Sequence, residues 1–156
     1  MSAEGALLDA NVLAYAINAD SPHHAASRAL LEAARHPSIT LYVTSQVLCE
    51  LYSVITNPRR VAEPCSPTVA LQIISALMAP PGMQVLSSPA SAVTKWMELV
   101  ERRPVTGGDI FDLQLVATML ANSIKRIYTF NVADFAMFSE LSVVLPAAQL
   151  EQEQGS

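Results

Sequence analysis

The segment Ala6-Leu7-Leu8-Asp9-Ala10-Asn11 sets the direction of the fold, because three apolar residues lead straight into an acid. A short, uninterrupted apolar run is typical of a strand that is buried on both faces of a parallel sheet. In open α/β sheets, ligands bind beyond the carboxyl ends of the strands. We therefore interpret the three apolar residues as a first strand that delivers Asp9 to a ligand-binding edge. Asp9 would equally suit the cap of a helix that begins near Asn11.

The same pattern of apolar runs and amphipathic segments continues to the end of the chain. The sequence predicts further strands at 40–43, 83–86, 126–130 and 142–145, and helices at about 23–35, 45–56, 67–78, 90–102 and 109–122. Apolar strands that alternate with helices are typical of a sheet covered on both faces. We therefore expect a three-layer α/β/α fold with a mainly parallel sheet of about five strands.

Composition limits the class of protein. With 156 residues, of which 51% are apolar, the chain suits a single domain, which we place at 1–148, followed by a polar and disordered tail at 149–156. The two cysteines have no metal-type spacing, and we see neither a leader peptide nor a membrane span, so a cytoplasmic protein is expected. The net charge of -5 argues against a broad cationic surface for nucleic acid. Cations bound at a cluster of acids would reverse that sign locally.

Glu50 is the second acid of interest. The predicted helix around it carries an apolar stripe of Val47, Leu48, Leu51, Val54 and Ile55. At about 100° per residue, Glu50 lies at the margin of this stripe, near the end of the second strand. An ordinary, partly solvated glutamate is the alternative interpretation.

Asp109 and Asp112 open the last long helix and share one of its faces, which Val116 continues as an apolar stripe. A carboxylate beside apolar residues needs a partner or a metal, since its burial alone is unfavourable. Both acids could also simply stabilise the start of the helix. We prefer a division in which Asp109 caps the helix and Asp112 is the functional acid.

Topology predicts that these acids meet. The helix that begins at Asp109 leads into the fourth strand, so its first turn should lie at the carboxyl end of a parallel sheet, beside Asp9. The fourth strand ends at the same edge, followed by Asn131 and Asp134. Arg59 and Arg60, after the second predicted helix, are weak candidates for binding phosphate groups of a nucleic acid, and a solvated turn is the alternative.

Taken together, these motifs resemble the PIN-domain family, and most closely the VapC-like toxins of toxin–antitoxin pairs. The resemblance spans the chain from Leu7 to Pro146. It rests on the residues around Asp9, Glu50 and Asp112, together with Thr129-Phe130-Asn131 and Asp134-Phe135. The order and spacing of these motifs are more specific than any one of them.

The resemblance implies an endoribonuclease that hydrolyses RNA phosphodiester bonds with Mg²⁺ or Mn²⁺. Asp9, Glu50 and Asp112 match the family's three principal acids, and Asn131 matches a fourth position that is often aspartate. Asp109 and Asp134 are additional candidate metal ligands. The resemblance also implies that the protein forms a homodimer and has a cognate antitoxin protein as a partner.

The sequence departs from the family pattern at two positions, and three other classes of protein are alternative interpretations. Several relatives carry histidine where Phe111 stands, and an amide at Asn131 leaves a second metal open. A non-catalytic regulatory or RNA-binding module of the same fold is the main alternative, although all three acids are present. A haloacid-dehalogenase phosphatase would need a second aspartate at Asn11, and a receiver domain would need an aspartate after the third strand, where the sequence has Ser87 and Ser88.

Overall fold

The computed structural model of the protein describes residues 5–146. Its strands are β1 Ala6–Leu8, β2 Leu41–Thr44, β3 Met83–Leu86, β4 Arg126–Tyr128 and β5 Ser142–Val144. Its helices are α1 Ala10–Ile17, α2 His24–Ala33, α3 Ser45–Ile55, α4 Pro67–Leu77, α5 Ser91–Arg102, α6 Ile110–Ala121 and α7 Val132–Phe135, with a 3₁₀ turn at Gly107–Asp109 before α6. The predicted tail at 149–156 lies outside the described residues, as does the predicted domain end at 148.

The strands form one sheet in the order β3-β2-β1-β4-β5, and every neighbouring pair is parallel. The prediction of a three-layer α/β/α fold with a parallel sheet is therefore confirmed. The chain first fills the side of β1 that holds β2 and β3, and later returns to the other side for β4 and β5. The strand order thus reverses between β1 and β4, and such a switch point is where open α/β sheets bind their ligands.

Register fixes what stands at this switch point. Leu8 of β1 pairs with Tyr128 of β4, so the residues that follow them, Asp9 and Thr129, lie side by side beyond the strand ends. The N–H of Asp9 donates to the carbonyl of Tyr128 at 3.0 Å, which extends the ladder by one more bond. The sheet itself therefore delivers Asp9 to the edge that the sequence predicted.

The core explains why the strands carry no polar alternation. Leu7, Leu8, Val43 and Ile127 are completely buried, as expected for strands with helices on both faces. The helices contribute further fully buried side chains, which include Val12, Leu13, Val47, Leu51, Val116 and Met119. No described helix combines the length and the apolar character that a membrane crossing requires.

Two short helices, α1 and α7, were missing from the predicted set of helices. Helix α1 begins immediately after Asp9, and the Asp9 carboxylate accepts a hydrogen bond from the N–H of Ala10 at 2.8 Å. Asp9 therefore directly follows the first strand and also caps a helix, so the two placements are compatible. The prediction also extended the fourth strand to residue 130, whereas β4 ends at Tyr128. The N–H groups of Phe130 and Asn131 bond to side chains instead of a neighbouring strand, which ends the ladder.

Candidate active site

Asp9 is the most buried acid of the switch point, with 8% of its surface exposed. Three donors hold its carboxylate: the hydroxyl of Thr129 at 2.8 Å, the N–H of Ala10 at 2.8 Å and the amide of Asn11 at 3.3 Å. Burial raises the pKa of Asp9, and the negative charge of Asp134 adds to this, while the bonds from Thr129 and Ala10 oppose it. Asp9 is thus a fixed carboxylate that is costly to ionise.

Glu50 lies in the middle of α3. The Thr44 hydroxyl caps this helix by accepting from the N–H of Val47 at 3.1 Å, so α3 starts directly where β2 ends. Although the Glu50 side chain is exposed, partial burial of its carboxyl group raises its pKa. The charge of Asp9 raises it further, and a hydrogen bond from Gln46 lowers it. Glu50 therefore lies close enough to Asp9 for the charge of Asp9 to raise the pKa of Glu50.

Asp112 occupies the first turn of α6. The chain reaches this helix through Gly107, whose φ of 58° is the left-handed conformation that glycine adopts without strain. Asp109 follows in the 3₁₀ turn, is exposed and makes no side-chain capping bond. Asp109 therefore occupies the predicted N-cap position of α6, but its side chain does not form the expected capping bond, and its backbone is already helical.

The pKa of Asp112 is raised to about 6, first by partial burial and then by four neighbouring acids. In decreasing order, the charges of Asp134, Asp9, Glu50 and Asp109 contribute. A carboxyl group that responds to four others stands at the centre of their combined field. The sequence prediction that these acids share one edge of the sheet therefore agrees with the geometry.

These residues line a common cleft of about 980 Å³. The predicted site residues found on its wall are Asp9, Glu50, Asp112, Asn131, Asp134 and Arg60. The described residues Asp109 and Arg59 do not line it, so Asp109 acts on the site through its charge alone. From the acids the cleft continues along α1 and the end of α3 as far as Cys65.

Sequence reasoning missed the polar residues that support the acids. Thr129 is completely buried, and its hydroxyl donates to Asp9 while accepting from the N–H of Asn131 at 3.0 Å. Asn11 reaches both Asp9 and the N–H of Phe130, the latter at 3.2 Å. The signal was available, because Thr129 directly follows a strand that ends beside Asp9.

Gln46 is a third residue that the sequence did not single out. Its side-chain amide donates to Glu50 at 3.3 Å and to the backbone carbonyl of Phe111 at 2.9 Å. It therefore links the helix that carries Glu50 to the first turn of the helix that carries Asp112. A glutamine one turn before a glutamate gives no such indication in the sequence alone.

Three rings pack together next to the cleft, and one of them, that of Tyr15, lines its wall. The ring of His23 lies 4.3 Å from that of Phe130, and Tyr15 packs against both, at 5.0 Å from His23 and 5.2 Å from Phe130. His24 pairs through Nδ1 with the carbonyl of Tyr15 at 2.9 Å. These contacts hold the start of α2 against the segment that follows β4.

The acids line the same cleft, but their side chains do not converge on one point. Within residues 5–146, no three histidine, cysteine, aspartate or glutamate side chains form a group that could hold a metal ion as they stand. The carboxylates instead line one cleft with the exposed Glu50 as the outermost of the three principal acids. The arrangement is an oxygen-rich cleft with strong mutual repulsion among its acids.

Comparison with known proteins agrees with the fold. The family model described as PIN domain matches residues 6–140. Ribonuclease VapC43 of Mycobacterium tuberculosis is 35% identical over 116 residues, which cover 74% of this chain and 79% of that protein.

Two solved structures show the same fold at lower identity. VapBC2 from Rickettsia felis, bound to a DNA fragment from its promoter, aligns with a TM-score of 0.66 and 19% identity over 90% of this chain and 98% of that one. The sarcin–ricin loop cleaving toxin VapC20 of Mycobacterium tuberculosis aligns with a TM-score of 0.61 and 21% identity over 86% and 97%. The chain belongs to the PIN-domain family, in the group of the VapC ribonucleases.

Proposed function

We propose that this protein is an endoribonuclease toxin that hydrolyses RNA phosphodiester bonds with Mg²⁺ or Mn²⁺ bound at Asp9, Glu50 and Asp112. One observation carries the proposal: three acids from three separate elements, after β1, in α3 and in α6, face one cleft. The pKa of Asp112 is raised to about 6, first by partial burial and then by the charges of four acids, and a bound cation would relieve that repulsion.

The donor set fits a hard divalent cation. All candidate ligands are oxygen atoms, which Mg²⁺ and Mn²⁺ prefer, and Mg²⁺ commonly binds through one or two carboxylates while it keeps several waters. Asp9 is already oriented by Thr129 and Asn11, as ligating carboxylates usually are. Glu50 is exposed on a helix surface, so its flexible side chain can turn towards the other two acids.

The residues of the cleft divide the remaining tasks. A bound cation would lower the pKa of the attacking water and neutralise charge on the phosphate. Asn131 offers an uncharged amide at the edge of the cleft and can donate to a water or a phosphate oxygen. Arg60 offers a cation on the wall for a neighbouring phosphate, while Arg59 is a weaker candidate for the same contact. Asp134 adds negative charge and is a candidate for a second ion.

We further propose that a cognate antitoxin inhibits the protein in the cytoplasm and that the protein forms a homodimer. The relatives support an antitoxin partner, because VapBC proteins are toxin–antitoxin pairs. The cleft supports it chemically, because acids on its wall would receive an inserted arginine or lysine from a partner segment. Both described cysteines are free, which suits a reducing compartment. A non-catalytic role is disfavoured, since each principal acid lines the cleft.

The direct test is RNA cleavage by the purified protein with Mg²⁺, with Mn²⁺ and with EDTA. We expect cleavage with either ion and none with EDTA, and recovery when Mn²⁺ is added back in excess. Co-expression with the product of the adjacent reading frame, followed by light scattering and the same assay, tests the partner. A protein that cuts RNA but is neither bound nor inhibited by that product would contradict the toxin assignment and leave the nuclease assignment intact.

A further inference from the structure

Phe111 exposes 56% of its surface although it stands beside Asp112 in the first turn of α6. Neighbouring apolar side chains of the same helix, such as Leu113 and Val116, are buried in the core. Phe111 does not belong to the apolar residues that pack against that core in the described part of the chain. Its ring therefore does not serve the packing of the described domain.

The backbone that carries this ring is held in place. Gln46 donates through one amide nitrogen to the Phe111 carbonyl at 2.9 Å and to the Glu50 carboxylate at 3.3 Å. The two oxygen atoms can lie no farther apart than the sum of these bonds. Phe111 is thus fixed relative to Glu50 through Gln46, and relative to Asp112 through the peptide chain. Phe111 does not line the cleft itself. Its ring is an exposed apolar surface just outside the cleft, on a backbone that is fixed next to two of the acids.

The chemistry of the substrate selects what this surface would bind. Acids repel phosphates unless a cation intervenes, whereas a nucleobase is flat and uncharged and carries apolar faces. Proteins commonly recognise unpaired RNA bases by stacking them on aromatic side chains, and stacking tolerates any base because each has a π face. A base next to the cleaved bond is the part of the substrate that an uncharged ring at this edge can hold.

We propose that Phe111 stacks on a nucleobase of single-stranded RNA adjacent to the cleaved phosphodiester, with Gln46 holding the backbone that positions the ring. This inference rests on the proposed ribonuclease function and adds a subsite to it. Phe111 is a substrate-binding residue here, and Gln46 is a positioning residue. The subsite requires an aromatic side chain, since apolar bulk alone cannot stack on a base.

The test compares Phe111→Leu, which keeps apolar bulk, with Phe111→Tyr, which keeps the aromatic face. Leu71→Ala in α4 is the control, because Leu71 is an apolar residue with 59% exposure in a helix that carries none of the candidate acids. With a short single-stranded RNA, Phe111→Leu should raise KM by about tenfold with little change in kcat, as expected for the loss of one stacked base. Phe111→Tyr and Leu71→Ala should match the wild type.

A second readout is independent of turnover. An RNA that carries a fluorescent adenine analogue is titrated with each variant in Ca²⁺, under conditions in which no cleavage is detected. The cation offsets the repulsion between acids and phosphates, and stacking on a ring quenches the fluorescence. Quenching by the wild type and Phe111→Tyr, but not by Phe111→Leu, would support the subsite even if the wild type failed to cut RNA. The proposed function alone would then be contradicted.

Other outcomes overturn the subsite. Equal KM and equal quenching for Phe111→Leu and the wild type would refute it while leaving the ribonuclease intact. No quenching by the wild type would do the same. If Phe111→Leu instead lowered the mass in light scattering and left the RNA readouts unchanged, the ring would belong to an interface between two copies of the chain.

Discussion

The hydroxyl of Thr129 donates a 2.8 Å hydrogen bond to Asp9 across the switch point between β1 and β4. Thr129 is completely buried, and the same oxygen accepts from the N–H of Asn131 at 3.0 Å and from the side chain of Asn11 at 3.3 Å. One hydroxyl therefore orients the most buried acid of the site and the segment that carries Asn131. The sheet provides this contact, because Leu8 and Tyr128 are register partners.

Replacing Thr129 by valine should reduce kcat/KM for RNA cleavage by roughly 10–100-fold, the usual effect of losing a group that orients a metal ligand. The variant should also lose about 1–3 kcal/mol of unfolding free energy, because Asp9 loses a donor and the N–H of Asn131 loses its acceptor. Thr129→Ser keeps the hydroxyl and should retain most of the activity. Urea unfolding and steady-state kinetics on the three proteins check both effects. Equal activity of the valine variant and the wild type would show that this hydroxyl does not position Asp9.

The stability of the metal-free protein should fall as pH rises from about 4 to about 6. Asp112 has a pKa near 3.8 when unfolded and about 6 when folded, so the folded state keeps a proton that the unfolded state has lost. Stability decreases with pH wherever the folded state binds more protons. The raised pKa of Asp9 acts in the same direction. Thermal unfolding in EDTA across this range measures the slope.

Asp112→Asn removes the titrating group and supplies the control. Its melting temperature should exceed that of the wild type above pH 6 and should depend less on pH, because asparagine keeps the shape without the repulsion. Saturating Mn²⁺ should stabilise the wild type more than the variant. A variant with the same pH slope as the wild type would mean that the charge of Asp112 is not under repulsion in the folded protein.

Arg60→Gln should raise KM for RNA several-fold and reduce the salt dependence of binding by about one counterion. Arg60 lies on the cleft wall, whereas Arg59, next to it in the sequence, does not. Arg59→Gln therefore removes the same charge from the same loop and serves as the matched control. Fluorescence anisotropy of labelled RNA at several salt concentrations separates the two. Identical effects of both substitutions would indicate a general charge effect instead of a contact in the cleft.

The sequence predicted the sheet and the meeting of the acids because both depend on periodicity and topology. Asp9 follows an apolar strand and Asp112 opens a helix that must begin at the same edge, so their proximity needed no side-chain detail. Helix α1 entered the sequence analysis only as an alternative, a helix beginning near Asn11, because its eight residues are almost all apolar and only Asp9 separates them from β1. The predicted cap at Asp109 failed because the side chains of a 3₁₀ turn differ in direction from those of an extended residue.

The supporting residues needed the structure for a different reason. Thr129 and Asp9 are joined across 120 positions of sequence, and Gln46 reaches Phe111 across 65. Such contacts depend on the register of paired strands and on the relative placement of two helices, and no local pattern of residue types encodes either. The residues that touch the cleft directly were therefore easier to predict than those that hold them in position.

The most direct test of the account is a Mn²⁺ titration followed by electron paramagnetic resonance, with RNA cleavage measured on the same samples of the wild type, Asp9→Asn and Asp112→Asn. In the wild type, Mn²⁺ binding and cleavage should rise together with ion concentration. Each variant should remain folded by circular dichroism, bind Mn²⁺ at least about tenfold more weakly and lose roughly a hundredfold or more of the cleavage rate, a larger loss than that for a residue that only supports a ligand. A folded Asp9→Asn variant with wild-type Mn²⁺ affinity and turnover, or full cleavage by the wild type in EDTA, would contradict the proposal that these acids form a metal-dependent ribonuclease centre.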